Sequence, residues 1–212
     1  MQLAPDVHMA LVDGDLVFLD ARRDRYSCIT RLDAPAVLAA LTGGAAPLEL
    51  AEVAEELRDA GLLMEGQAAG LHPATPDPVV GDFRDLAAVE LPVTLGTILS
   101  LAASVVEGAA RSRARPSHWL SISERRQEAA SSRAATLALQ FDRLRPLIPK
   151  TGRCLPNSLM LLAYLRRHGV SAQVVVGVRT FPFEAHCWVQ HNGVVLNDTV
   201  EHVCWYVPIA VA

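Results

Sequence analysis

The sequence predicts an α+β fold in two parts: a small N-terminal unit of strands followed by helices, and a larger C-terminal part whose helices pack on an antiparallel sheet. Three observations carry that expectation. Residues 7–30 string short β-rich runs together through turn dipeptides, and helical periodicity follows to residue 60. Residues 83–169 return to helical periodicity, interrupted by prolines. From Ala172 onward β-branched runs dominate again, with Asn192-Gly193 between two of them. At 212 residues, 51% apolar and 20% charged, the chain is long enough for one ordinary domain or two small ones with their own core.

Charge divides the chain in the same place. Residues 1–66 hold twelve acidic and five basic side chains, whereas 81–150 hold seven and ten. Between them, 67–80 carries Gly70, Pro73, Pro76 and Pro78, a linker composition. The expected organisation is an N-terminal domain over 1–66, a linker over 67–80 and a second domain over 81–212. A net charge of −4 gives no nucleic-acid signal, and the acidic balance of 1–66 opposes reading its charged loop as a DNA wing. The first residues show neither a basic region nor an apolar one, so no secretory signal is expected. The longest uncharged run, sixteen residues between Glu90 and Glu107, is too short to span a bilayer and predicts a buried helix without stable membrane insertion. A cytoplasmic location follows, with Cys28, Cys154, Cys187 and Cys204 as thiols. No Cys-x-x-Cys pair suggests a structural metal.

Taken in order, Val7 to Val12 and Asp15 to Asp20 are strands joined by the hairpin dipeptide Asp13-Gly14, and Arg22-Arg23-Asp24 turns the chain into a third strand over Arg25 to Thr30. Asp33 caps a helix reaching Leu41, with Pro35 in its first turn. A second helix runs from about Leu48 to Ala60, with Val53 and Leu57 on its apolar stripe and Gly61 as its stop. Three strands and then helices make a winged-helix-like unit with one free sheet edge. That unit is either a structural cap or an edge that accepts an extended peptide as an added strand. Phe83 to Glu107 reads as helical with a break at Pro92, and Arg111 to Pro116 as a solvated basic loop. A further helix covers 121–145, opening at Ser121 or Ser123 and closed by Pro146.

The chemistry gathers in 153–198. Cys154 opens a helix of roughly fourteen residues that Gly169 ends, with Pro156 in the first turn, where its missing N–H costs nothing. The positive end of that helix favours a thiolate, and its amides can hold an oxyanion. Ala172 to Val178 is a strand, Phe181-Pro182-Phe183 a turn, and Glu184 to Gln190 an alternating strand with His186, Trp188 and Gln190 on one face. If His191-Asn192-Gly193 forms a three-residue hairpin loop, Gln190 pairs with Val194 and His186 lies opposite Asp198, Cβ atoms about 5 Å apart. A two-residue loop shifts that register by one. Cys154, His186 and Asp198 therefore have the types and order of a nucleophile, a base and its orienting carboxylate. His168 reads as a dipole partner at a helix end, Cys187 as packing, Ser158 as a helix brace, and His202 and Cys204 as residues of a terminal strand with no metal-ligand spacing.

These residues carry a resemblance. Arg153-Cys154-Leu155-Pro156 with Ser158-Leu159, Gly177-Val178-Arg179, Ala185-His186 before Trp188-Val189, and the run from Gly193 to Asp198 resemble the transglutaminase-like cysteine protease of lasso-peptide biosynthesis. The first sixty-odd residues are similar to that family's leader-binding module, the RiPP recognition element, fused here to the protease. Asn157 and Cys187 depart from the pattern, where relatives carry a basic residue and alanine. The resemblance implies a transglutaminase-like, papain-like protease domain and a leader peptidase that cuts a precursor through Cys154, His186 and Asp198 before macrolactam closure. It implies that Arg25, Tyr26, Ser27, Cys28 and Ile29 receive the leader as a strand against Val53 and Leu57. The implied partners are the precursor and an asparagine-synthetase-like cyclase. No bound cofactor is implied; some relatives need ATP for cleavage, a dependence that could come through that cyclase, and no Gly-rich phosphate loop is visible in this sequence. An acyltransferase or transglutaminase using the same three residues, and a non-catalytic scaffold for the cyclase, are the alternatives.

Overall fold

The computed structural model describes residues 2–30, 33–41, 50–66, 74–87, 91–120, 129–148 and 153–212. A short strand β1 (Gln2–Leu3) precedes the three expected strands, β2 (Val7–Val12), β3 (Asp15–Asp20) and β4 (Arg25–Ile29). They form an antiparallel sheet in the order β2-β3-β4. Asp13 and Gly14 turn β2 into β3 with φ of 52° and 93°, the positive pair that a two-residue hairpin needs. Helices α1 (Ala34–Leu41) and α2 (Leu50–Asp59) follow, and β5 (Leu63–Met64) closes the unit against β1.

Every residue of β3 is buried, because both faces of the sheet are covered. Leu16 and Phe18 pack with Ala34, Val37, Leu41 and Leu57 of the helices. Val17 and Leu19, with Ala10 and Val12, belong instead to the large core of the C-terminal part. The expected seam is thus bridged by a shared core. Of the expected linker, 67–73 lies outside the described residues. The rest is stitched to the second sheet by Gln190 Nε2 donating to the Asp77 carbonyl at 2.9 Å and Val80 N–H to the Gly193 carbonyl at 2.9 Å.

Strand β6 (Gly81–Asp82) leads into a single turn, α3 (Phe83–Leu86), and α4 (Leu95–Arg113). The break at Pro92 holds, and Thr94 and Thr97 form a reciprocal cap at the start of α4. Two expectations fail here. Arg111–Arg113 is the last turn of α4, where Arg111 pairs with Glu107 at 3.1 Å, and not a loop. The uncharged run is only half buried. Leu101, Ser104 and Gly108 face the core while Leu95, Leu99 and Val106 are exposed, and α7 covers one side of the helix. Helix α5 (Pro116–Leu120) and α6 (Ser131–Leu144) follow, then a 3-10 turn, Arg145–Leu147. The Ser121 and Ser123 cap lies outside the described residues.

Helix α7 (Cys154–Arg167) is the central helix, packed between α4 and the second sheet. Ala163, Tyr164 and Leu165 are fully buried, and Arg167 reaches Glu107 of α4 at 2.5 Å. Gly169 at φ 73° closes the helix, with Val170 N–H on the Leu165 carbonyl. The chain then forms β7 (Gln173–Arg179), β8 (Glu184–His191), β9 (Val194–Val195), α8 (Val200–Val203) and β10 (Val207–Val211). The sheet order is β10-β7-β8-β9-β6, antiparallel except for the β6–β9 pair. Val174, Val176, Val178, Cys187 and Val189 face α7, and Val175 and Trp188 face the other way toward Val203 and Tyr206. His202 and Cys204 lie on and just after a helical turn, not on the expected terminal strand. No helix among the described residues is long and apolar enough to cross a membrane.

Candidate functional site

Cys154 is the first residue of α7, and its N-cap, Arg153, offers no side-chain hydrogen bond to the opening turn. The sulfur therefore stands at the positive end of the helix dipole without a competing capping acceptor. Ser158, one turn on and fully buried, donates to the Cys187 carbonyl at 3.0 Å and ties this turn to β8. It also accepts from Asn197 Nδ2 at 2.9 Å, which joins α7 to the segment carrying Asp198.

His186 comes from β8, where it pairs with Gly177 of β7. A Cβ on Gly177 would lie 2.8 Å from Trp188 and Tyr206, so glycine is what admits those rings beside His186. His186 Nε2 lies 2.5 Å from Asp198 Oδ2. A carboxylate only accepts, so the ring nitrogen donates, and Nδ1 is left to face the thiol. Asp198 Oδ1 accepts the Thr199 N–H at 2.8 Å.

The route by which Asp198 reaches His186 differs from the expected register. The β8–β9 loop is two residues, Asn192-Gly193, with His191 opposite Val194 and Gln190 opposite Val195. An unbroken ladder in that register would set Asp198 opposite Cys187, one residue short of His186. Instead β9 stops after Val195. Leu196 N–H still bonds the Val189 carbonyl at 2.8 Å, but Asn197 Oδ1 takes the Val189 N–H at 2.8 Å, a bond that a continuing strand makes through its main chain. The resulting bend returns Asp198 to His186.

Charge is distributed to match. Burial pushes the Cys154 thiol up, but the hydrogen bond and charge of His186, with the amides of Cys187 and Leu155, outweigh it and hold the thiol below its ordinary value. Burial also opposes a charge on His186, yet Asp198 and Cys154 raise it to about 9. For Asp198, burial is overcome by His186, the Thr199 amide and His202, which bring it down to about 2. The Cys154–His186 pair is thereby biased toward thiolate and imidazolium.

A cleft of about 810 Å³ opens over these groups. Phe141, Pro146 and Ile148 give it apolar surface, and Asp142, Arg145 and Arg153 give it charge. Asn157 lines it too, so the departure noted there faces the site.

The remaining candidates scatter. His168 sits at the far end of α7, its ring tilted against that of Tyr164 and 3.2 Å from Ser100 Oγ. Cys187 lines the cleft but is buried, and burial raises its thiol. On the N-terminal sheet, β4 is an edge strand on which Arg25, Ser27 and Cys28 are exposed. Ile29 and Val53 both pack against the small N-terminal core that includes the buried Leu57, while Tyr26 packs on the larger core, its ring 5.4 Å from Phe183.

His186, Asp198 and His202 also bring three metal-ligand atoms within 4.8 Å of one another. Two ligands of one tetrahedral zinc sit roughly 3.3 Å apart, from bonds of about 2.0 Å. The 2.5 Å separation of Nε2 and Oδ2 fits a shared proton instead. Sequence reasoning assigned His202 no part in this cluster. The available signal was its four-residue spacing from Asp198 across Thr199, which caps α8.

Comparison with known proteins gives two findings. The model of the Transglutaminase-like superfamily matches residues 98–211. The microcin J25-processing protein McjB of Escherichia coli is 44% identical over 45 residues, 21% of this chain. That match covers 22% of McjB, less than a quarter of its length. No solved structure matches.

Proposed function

Because the chain belongs to the transglutaminase-like superfamily, whose model spans more than half of it, we propose that it is a cysteine peptidase that removes the leader from a ribosomally made lasso-peptide precursor. The observation that carries the proposal is the joining of Cys154, at an uncapped helix start, to His186 and Asp198 beside a peptide-sized cleft. The likeness to a microcin-processing protein supports the substrate class.

In this mechanism the Cys154 thiolate attacks the carbonyl at the leader–core junction. Amides at the start of α7 stabilise the oxyanion, and protonated His186 delivers its proton to the departing core amine. The leader is left as a thioester. His186, now neutral, takes a proton from water, which hydrolyses that thioester and frees the leader acid and the thiol. Asp198 holds the imidazole in the tautomer both steps need. The leader is captured as a strand on the β4 edge over Arg25 to Ile29, with Val53 and Leu57 supporting that edge from beneath. The released amine then passes to an asparagine-synthetase-like cyclase.

Mass spectrometry of precursor incubated with the protein tests this. The expected result is two fragments whose masses sum to precursor plus water, and Cys154→Ala abolishes them while leaving leader affinity nearly unchanged. Products carrying an added amine in place of water identify an acyltransferase. Maturation that survives Cys154→Ala identifies a scaffold.

A further inference from the structure

We propose that His202 is a positioning residue that locks the Asp198 carboxylate in the orientation His186 requires; this rests on the peptidase reading above. His202 Nδ1 lies 3.0 Å from both Asp198 oxygens. The carboxylate thus has Thr199 N–H and His202 on Oδ1, and His186 and His202 on Oδ2. Without His202, Oδ2 keeps its bond to the mobile catalytic ring alone, and only the Thr199 amide opposes rotation about Cβ–Cγ.

The His202 ring is itself held. Thr199 Oγ1 accepts the His202 N–H at 3.2 Å, and Trp205 and Tyr206 meet the imidazole edge-on at centroid distances of 5.6 and 5.5 Å. The Tyr206 hydroxyl is 3.5 Å from Nε2, which leaves Nδ1 as the nitrogen committed to Asp198. The ring also packs over His186, centroids 4.7 Å apart, so it screens the His186–Asp198 bond from solvent on that side. One turn of α8 therefore supplies the carboxylate's amide anchor, the helix cap and the second imidazole. His202 lines the cleft and is not part of the hydrophobic core, so its replacement does not open a void there.

The test uses the full chain and its precursor. Truncation to His202→Leu removes the Nδ1 donor, while His202→Asn keeps an N–H near the Nδ1 position. With one charge-assisted bond lost, kcat for His202→Leu is expected to fall about 10- to 100-fold with KM within about twofold. His202→Asn is expected to stay within about threefold of wild type, the melting temperatures of both variants being alike. Wild-type kcat in His202→Leu, an equal loss in both variants, or a change confined to KM overturns the assignment. Cys154→Ala separates the two claims: cleavage that persists in that variant sinks the peptidase reading itself. If Cys154→Ala is inactive and His202→Leu is fully active, only the role of His202 fails.

Discussion

At the scale of residues, the proposed thiolate and imidazolium exist only while Cys154 has lost its proton and His186 has kept its own. The Cys154 thiol is held below its ordinary value and His186 is raised to about 9. The pair therefore forms as pH rises through the lowered thiol value and is lost as pH passes about 9. A bell-shaped pH profile of kcat/KM with its alkaline limb near 9 is the expected outcome. Asp198→Asn removes the largest support of that raised value, so the alkaline limb is expected to move down by a pH unit or more, with kcat reduced about 100-fold or further. The three residue types proposed to react were legible in the sequence because each side chain has few other uses in that order. Asn197 and His202 were not, since an amide that substitutes for a strand and a histidine that braces a carboxylate have no sequence signature beyond spacing.

Among elements, the close approach of α4 to α7 bears on the position of Cys154, the first residue of α7. A Cβ on Gly108 would come within 2.5 Å of the Met160 backbone nitrogen, so the two helices touch main chain to main chain there. Gly108→Ala is expected to push them apart and destabilise the protein by about 1–3 kcal/mol, read as a melting point lowered by roughly 2–4 °C for each kcal/mol. On the N-terminal sheet, β4 has β3 on one side and no strand on the other among the described residues. If its outer edge receives the leader, Ser27→Pro removes a donor and is expected to weaken leader binding about 3- to 10-fold in a fluorescence titration, with far-UV circular dichroism unchanged. Unaltered affinity would place the leader elsewhere. Helix starts, stops and hairpin dipeptides were legible to within a few residues, because caps and positive-φ turns are local chemistry. The β8–β9 register was not, because the sequence fits a two- or a three-residue hairpin loop, and Asn197 then ends the ladder.

For the molecule as a whole, the two parts of the chain are expected to unfold together. Val17 and Leu19 of β3 are buried among residues of the C-terminal core, with Leu19 at 1% exposure. All three tryptophans, Trp119, Trp188 and Trp205, lie in the C-terminal part, Trp119 in the core cluster that also holds Leu19 and the other two outside it. Leu19→Ala is expected to cost about 2–5 kcal/mol and to lower the denaturant midpoint seen by tryptophan fluorescence, although the substitution lies a hundred residues away from the nearest of those rings. An unchanged midpoint would mean that the two parts are energetically independent. The contact of Tyr26 with Phe183, three residues before His186, joins β4 to the turn that leads into the strand carrying His186.

What the sequence determined alone was the local and the chemical: element types, the helix that begins on a cysteine, and the residues able to form a nucleophile, base and carboxylate. Those follow from short-range periodicity, capping and side-chain identity. The tertiary structure decided the rest: a first sheet covered on both faces, a strand ended by Asn197, and a second imidazole within hydrogen-bond distance of Asp198. Each of these depends on segments distant in sequence competing for the same hydrogen bonds or the same apolar surface, and that competition is settled only when the chain is packed.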